Sequence, residues 1–74
     1  MDYTNSRIRE LIEEYIHSER DREILVYRLV HGLTYEQIAS RYQAQHPDSY
    51  ISVDTVKRVI RKSESRLFSH LSMP

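Results

Sequence analysis

The chain has 74 residues, no cysteine, and eleven Lys or Arg against eleven Asp or Glu. A chain of this length makes one small domain that buries only about 60 % of the surface exposed by its unfolded form. Without cysteine it relies on no disulfide and suits a reducing compartment. The composition, 39 % hydrophobic and 30 % charged with a single glycine, is typical of a compact helical domain. No apolar run approaches the ~18 residues that span a bilayer and no signal peptide opens the chain, so we expect a soluble, cytoplasmic protein without a membrane partner.

The net charge is zero, but the charged residues are unevenly distributed along the chain. Residues 1–38 carry five Lys or Arg and eight Asp or Glu, a balance of −3, whereas residues 39–74 carry six and three, a balance of +3. Chance fluctuation along a short chain would explain such a difference, but here the basic residues are concentrated in one stretch. The asymmetry is compatible with one face for nucleic acid and another for a protein.

The first helix is predicted from a run of apolar residues between Ile8 and Ile16. They recur at steps of three and one, which places them on one face of a helix from about Asn5 to His17. Asn5 or Ser6 could cap its start. The simplest interpretation of this segment is a helix of the hydrophobic core.

A second helix start is indicated by Ser18 followed by Asp21, because an acid near the positive end of the helix dipole is favourable. Its apolar face continues to His31. Gly32, the only glycine, stands where a helix commonly ends in a left-handed residue. Residues of about 5–31 are therefore expected to form two supporting helices.

A third helix begins at a predicted capping box, in which Thr34 is the cap and Gln37 reaches back to it. The apolar face of this short helix runs to Tyr42. The stretch 44–50 that follows contains Pro47, which disfavours helix in the residue before it and predicts a loop.

The longest predicted helix starts after Ser52, a good N-cap, and runs to Leu71. Its apolar residues recur at three-, four- and seven-residue steps and form one stripe: Val53, Val56, Ile60, Leu67 and Leu71. Five cations and a single acid lie between residues 57 and 66, a local charge of +4: Lys57, Arg58, Arg61, Lys62 and Arg66. A helix about 27 Å long can pack such a stripe on a small domain and hold its basic side against an anion. The major groove of DNA accepts a helix of this kind.

The predicted fold class is therefore all-α: a small four-helix domain, residues 1–74, that contains a helix-turn-helix at about 34–71. In a helix-turn-helix the first helix braces the second, whose N-terminal residues reach base edges. The sequence predicts that the helix after Ser52 is the recognition helix.

Two stretches resemble a known family. They are DREILVYRLVHGLTYEQIA, residues 21–39, and ISVDTVKRVIRKSESRLFSHL, residues 51–71. Together they resemble region 4 of the bacterial sigma-70 family, which binds the −35 promoter element, and they are similar to the sigma-region-4-like proteins of phages and prophages. Regulators of the LuxR type have a similar helix-turn-helix pattern, so the subfamily is open. The resemblance implies DNA binding and is compatible with a contact to RNA polymerase.

The chain departs from the family in two places. The family joins its two helices by a short turn, whereas residues from Ser40 to Tyr50 include several extra positions, which a longer first helix or a looped-out turn could absorb. In addition, no part of the chain corresponds to the sigma region that melts the −10 element. The resemblance therefore implies DNA binding without promoter opening.

The resemblance also implies which residues would meet DNA. Contacts to bases fall on Thr55, Lys57, Arg58 and Arg61, and contacts to phosphates on Thr34, Tyr35, Lys62 and Arg66. Of these, Arg58 or Arg61 is the better candidate for a bidentate contact to guanine. Asp54 could accept a hydrogen bond from cytosine or could serve only as a first-turn acid.

Other classes of function have less support in the sequence. The four histidines are spread without ligand spacing, so no metal site and no cofactor are expected. No nucleophile motif or phosphate-cradling glycine loop occurs, so an enzyme is not expected. The alternative is a protein-interaction module that binds RNA polymerase or another regulator through its acidic N-terminal helices. The sequence is also compatible with a homodimer. The first helix and Leu67, Phe68 and Leu71 could form the dimer interface, or they could belong to the hydrophobic core of a single copy.

Overall fold

The described residues, 4–71, form an all-α structure with four α-helices, which confirms the predicted fold class. The computed structural model describes residues 4–71, the last two by their backbone only. The helices are α1 (Asn5–Tyr15), α2 (Glu19–Leu25), α3 (Tyr35–Gln45) and α4 (Val53–Leu71), and a five-residue π-helical segment (Val26–Val30) directly follows α2. The described residues contain no strand.

Two clusters of buried side chains hold the helices together, and α4 takes part in both. The first cluster joins α2, α3 and α4 through Ile24, Ile38, Tyr42, Ile51, Val56, Val59 and Ile60. The second joins α1 and α2 to the C-terminal half of α4 through Leu11, Ile12, Ile16, Leu25 and Leu67. Burial of one large aliphatic side chain contributes about 1.5–3 kcal/mol. Rotation of α4 about its own axis would expose both clusters, so the opposite side of this helix is held toward solvent.

The buried side of α4 is broader than the predicted stripe. Three of the stripe residues are buried, Val53 is half-buried, and the side chain of Leu71 lies outside the described part of the chain. Val59 and Ser63 are buried as well. Leu67 belongs to the second cluster and is therefore a core residue, not a free dimer surface.

Among residues 4–71, no helix has the length and apolar character needed to cross a membrane.

Each helix begins at a hydroxyl side chain whose oxygen accepts the backbone N–H three residues further on. The four caps are Thr4, Ser18, Thr34 and Ser52, with donor–acceptor distances between 3.1 and 3.4 Å. Three of them confirm the predicted helix starts. The expected cap of α1 was wrong, because Thr4 takes that role and Asn5 is already helical.

The end of α1 also differs from the prediction. The helix stops at Tyr15 and not at His17, because Ile16 adopts an extended conformation (φ −113°, ψ 118°). The guanidinium of Arg22, on α2, donates to the backbone carbonyls of Ile16 and Glu13. A side chain from the next helix thus satisfies a carbonyl that a further helical turn would have used.

The second predicted helix changes its winding before it ends. Over Val26–Val30 it is π-helical, and the N–H of His31 donates to the carbonyl of Val26 at 3.2 Å. The wider turn places Val26 against the second cluster and Tyr27 against the first. Gly32 then takes a left-handed conformation (φ 67°), which confirms it as the boundary residue.

The extra residues between α3 and α4 lie partly in a longer α3 and partly in a loop. The sequence predicted a short helix as far as Tyr42, but α3 continues to Gln45. The chain then leaves the helical region at His46 (φ −129°, ψ 73°), because the ring of Pro47 disfavours helix in the residue before it. Residues 46–52 form the loop that leads into α4.

Candidate nucleic-acid interface

The five cations of α4 all lie on its solvent side. Each of them is exposed: Lys57, Arg58, Arg61, Lys62 and Arg66. The direct contacts between basic and acidic groups among the described side chains are Arg7–Glu10, Arg20–Asp21 and His46–Glu23. None of these pairs involves α4, so no acid among the described side chains pairs with its cations.

The cations are distributed over three sectors of the helix. Successive residues of an α-helix are about 100° apart. Arg58 and Arg61 therefore lie within about 60° of each other, opposite the buried side, whereas Lys57 and Arg66 lie about 180° apart on the two flanks. Four of the cations and Asp54 line one surface groove of about 460 Å³: Lys57, Arg58, Arg61 and Lys62. The middle sector is thus bordered by positive charge on both sides.

One flank of α4 meets the start of α3. The guanidinium carbon of Arg28 lies 4.6 Å, and Nζ of Lys57 5.8 Å, from the ring centre of Tyr35, both within cation–π range. Arg28 also donates from Nη1 to the carbonyl of Leu33 at 2.9 Å, which holds its guanidinium beside this helix start. Tyr35, a predicted phosphate contact, is half-buried between two cations. Arg28 was missed by sequence reasoning, since its position here depends on the π-helical segment.

Two of the predicted contact residues take part in the hydrogen bonds that cap their helices, Thr34 as the cap of α3 and Thr55 as the partner of the Ser52 cap. The hydroxyl oxygen of Thr34 accepts the N–H of Gln37 at 3.2 Å, and its own N–H donates to Gln37 Oε1 at 2.9 Å, which confirms the capping box. Thr55 is half-buried, and its hydroxyl lies 3.0 Å from Ser52 Oγ. A DNA contact by Thr34 or Thr55 would have to share the hydroxyl with these bonds.

The other flank of α4 faces the turn between α1 and α2. Lys62 and Arg66, both predicted phosphate contacts, line a cleft of about 170 Å³ there. The remaining lining residues are Ile16, His17, Ser18, Asp21 and Ser63. His17 was not among the predicted site residues, because only packing in the second cluster brings this turn beside α4.

The assembled surface offers cations, hydroxyl groups and an aromatic ring to an anionic partner. Within the described residues, no group of three or more His, Asp or Glu side chains is placed to hold a metal ion. No family model, curated protein or solved structure matches the chain. The resemblance to sigma-70 region 4 therefore stays a prediction, and the case for a function depends on the geometry of this surface.

Proposed function

We propose that this protein is a sequence-specific, DNA-binding transcriptional regulator that inserts α4 into the major groove as the second helix of a helix-turn-helix. The observation that carries the proposal is the contrast between the two faces of α4. One face is buried in two clusters, and the other holds five exposed cations that form no ion pair with any described side chain. The major groove, about 12 Å wide, admits an α-helix. Cations that meet phosphates supply most of the sequence-independent affinity for DNA.

The three sectors of α4 correspond to three kinds of contact. Arg58 and Arg61, in the middle, are suited to bidentate contacts with guanine, each worth about 1–3 kcal/mol of discrimination. Asp54 either accepts from a cytosine amino group or acts only on the helix dipole. The sequence predicted a base contact for Lys57, but its position beside Tyr35 on one flank of α4 favours a phosphate contact. Because a phosphate backbone borders the groove on each side, we assign Lys57 with Tyr35 to one strand, and the Lys62 flank to the other.

A single copy of this protein is expected to bind DNA with limited specificity. The proposed function involves no catalytic residue and no cofactor. One recognition helix reads only a few base pairs, so specific affinity usually requires a second half-site or a partner. A second copy of the chain and RNA polymerase are the two partners that fit this need. Phe68, 44 % exposed on α4, is the large apolar side chain that a homodimer could cover there.

Fluorescence anisotropy against a mixed pool of duplex DNA, repeated over a salt series, tests the proposal. We expect wild-type binding to weaken as salt rises, with a log–log slope near −0.9 for each phosphate neutralised. Arg58→Glu/Arg61→Glu should lose at least 100-fold in affinity, since it reverses two central charges, and a factor of 100 is about 2.7 kcal/mol. Arg7→Glu/Arg9→Glu changes the net charge equally on α1 and is the matched control.

The two double variants separate a defined DNA surface from general charge attraction. Equal losses in both would mean that net charge alone governs binding. No binding by the wild type at low salt would contradict the proposal altogether.

A protein-interaction module is the second candidate, favoured by the exposed acids Glu10, Glu13 and Glu14 on α1. In that case Glu13→Lys/Glu14→Lys would abolish binding to a polymerase subunit, and reversal of Arg58 and Arg61 would leave it intact.

A further inference from the structure

The loop before α4 is held in one conformation by the side-chain amide of Gln43. Its Nε2 donates to the carbonyls of His46 (3.3 Å) and Pro47 (3.5 Å), and its Oε1 accepts the N–H of Ile51 (3.3 Å). The N–H of Ser49 closes a turn onto the carbonyl of His46 at 2.9 Å. One amide on α3 therefore ties both ends of the loop together.

A second set of contacts fixes the loop to α2. His46 Nε2 lies 2.8 Å from Glu23 Oε1, and the hydroxyl of Tyr27 donates to the other carboxylate oxygen at 2.9 Å. The imidazole ring also lies over Tyr42, with ring centres 4.3 Å apart. The loop is thus anchored at its first residue by a carboxylate and an aromatic ring.

This anchored loop presents one large side chain to solvent. Tyr50 is 86 % exposed, whereas the next residue, Ile51, is only 6 % exposed and belongs to the first cluster. The side chain of Ile51 is therefore turned toward the core, and that of Tyr50 is turned toward solvent. Tyr50 also lies two residues before Ser52, the cap of α4, at the helix end that reaches base edges in a helix-turn-helix.

We propose that Tyr50 is a second, uncharged contact to duplex DNA, in which its ring packs on deoxyribose and base edges beside the groove that α4 enters. The inference rests on the proposed function, because it needs α4 in the groove. Residues 46–52 include no Lys or Arg and one acid, Asp48, which disfavours a phosphate as the main partner. Apolar contact with a thymine methyl group or a sugar needs no charge.

A protein partner is less well supported by the surroundings of Tyr50. A standard protein interface covers about 800 Å² on each partner. The other large exposed hydrophobic side chain among the described residues, Phe68, lies fifteen positions beyond the start of α4, about 22 Å along the helix. Tyr50 is therefore the one large hydrophobic side chain exposed at this loop, residues 46–52.

The test compares Tyr50→Ala, Tyr50→Phe and Gln43→Ala in the same anisotropy and salt-series assay. Tyr50→Ala should bind duplex DNA about tenfold more weakly, which equals about 1.4 kcal/mol. Its log–log salt slope should equal that of the wild type, because no phosphate contact is lost. Tyr50→Phe keeps the ring and should bind as the wild type does, and Gln43→Ala should bind more weakly because the loop is released. Thermal unfolding of Tyr50→Ala should be unchanged, since the side chain is exposed.

The outcomes separate this inference from the proposed function. Wild-type affinity in Tyr50→Ala, together with lost binding in Arg58→Glu/Arg61→Glu, would overturn the inference and leave α4 as the DNA surface. A changed salt slope in Tyr50→Ala would overturn it too, since the loss would then arise from the basic helix. Weaker binding to a polymerase subunit with unchanged DNA affinity would assign Tyr50 to a protein partner. Absence of wild-type DNA binding would contradict both proposals.

Discussion

The outer faces of α1 and α4 differ, although both helices are built on the same plan. Each begins at a hydroxyl cap and buries an apolar side in a cluster. The exposed side of α1 mixes both signs of charge, and Arg7 pairs with Glu10 at 3.6 Å. The exposed side of α4 carries five cations, and within residues 4–69 none of them pairs with an acid. An amphipathic pattern thus accounts for the packing of both helices, and only the excess of one sign distinguishes a candidate binding surface from a solvated one.

The largest expected difference between two variants concerns Ile60 and Arg61, which are adjacent in sequence but lie on opposite sides of α4. Ile60→Ala should lower the free energy of unfolding by about 2–5 kcal/mol, because it opens a cavity in the first cluster. Arg61→Ala should change stability by less than about 0.5 kcal/mol and should reduce discrimination at one base pair by about 1–3 kcal/mol. Urea unfolding and binding to single-base variants of a selected site would measure these effects. Equal stability losses in both variants would contradict the assignment of the two faces.

The two flanks of α4 can be compared with α1 through the salt dependence of binding. Lys57→Ala and Arg66→Ala should each reduce the magnitude of the log–log slope by about 0.9, because each removes one phosphate contact. The double variant should lose about twice that amount, since the residues lie on opposite flanks. Arg9→Ala, on the exposed side of α1, should leave the slope unchanged. If either α4 variant kept the wild-type slope, the flank that carries the substituted residue would not contact DNA phosphates.

The smallest expected effect concerns Tyr27, beside the first cluster, and appears only in alkali. Burial raises the pKa of Tyr27 above its usual value of 10.0, and its hydrogen bond to Glu23 raises it further. The folded state therefore holds the proton more tightly than the unfolded chain does. This stabilisation is complete below pH 10 and is lost as pH rises through the pKa of the folded state. Urea unfolding at a series of pH values should show a steeper decline above pH 10 for the wild type than for Tyr27→Phe, and parallel curves would contradict this account.

The early end of α1 and the π-helical segment after α2 were missed for a common reason. The early end of α1 depends on the guanidinium of Arg22, and that side chain comes from the next helix. The π-helical winding of Val26–Val30 directs neighbouring side chains to two different clusters. Neither contact leaves a signal in the periodicity of a single segment. Helix existence was predictable from local pattern, but the end of α1 and the change of winding after α2 were decided by contacts with neighbouring helices.

The candidate site, like the helix limits, was predictable from the sequence only in part. The exposure of Arg58 and Arg61 follows from their spacing relative to the apolar stripe, and the structure agrees. Arg28 beside Tyr35 could not be derived in the same way, because a change in helix winding and a turn separate them along the chain. The anchored loop depends on His46 and Glu23, which are 23 positions apart. Such pairs meet only after the helices have packed.

The sequence by itself determined the four helices, three of their caps, the turn at Gly32 and the basic side of α4. These features depend on residues within about one helical turn of each other, where backbone hydrogen bonds and side-chain spacing act locally. The tertiary structure alone decided what each flank of α4 faces, that Arg28 and His17 join the surface, and that Tyr50 projects from an anchored loop. Those placements depend on how α4 is oriented by two buried clusters, and that orientation results from contacts between residues far apart in the chain.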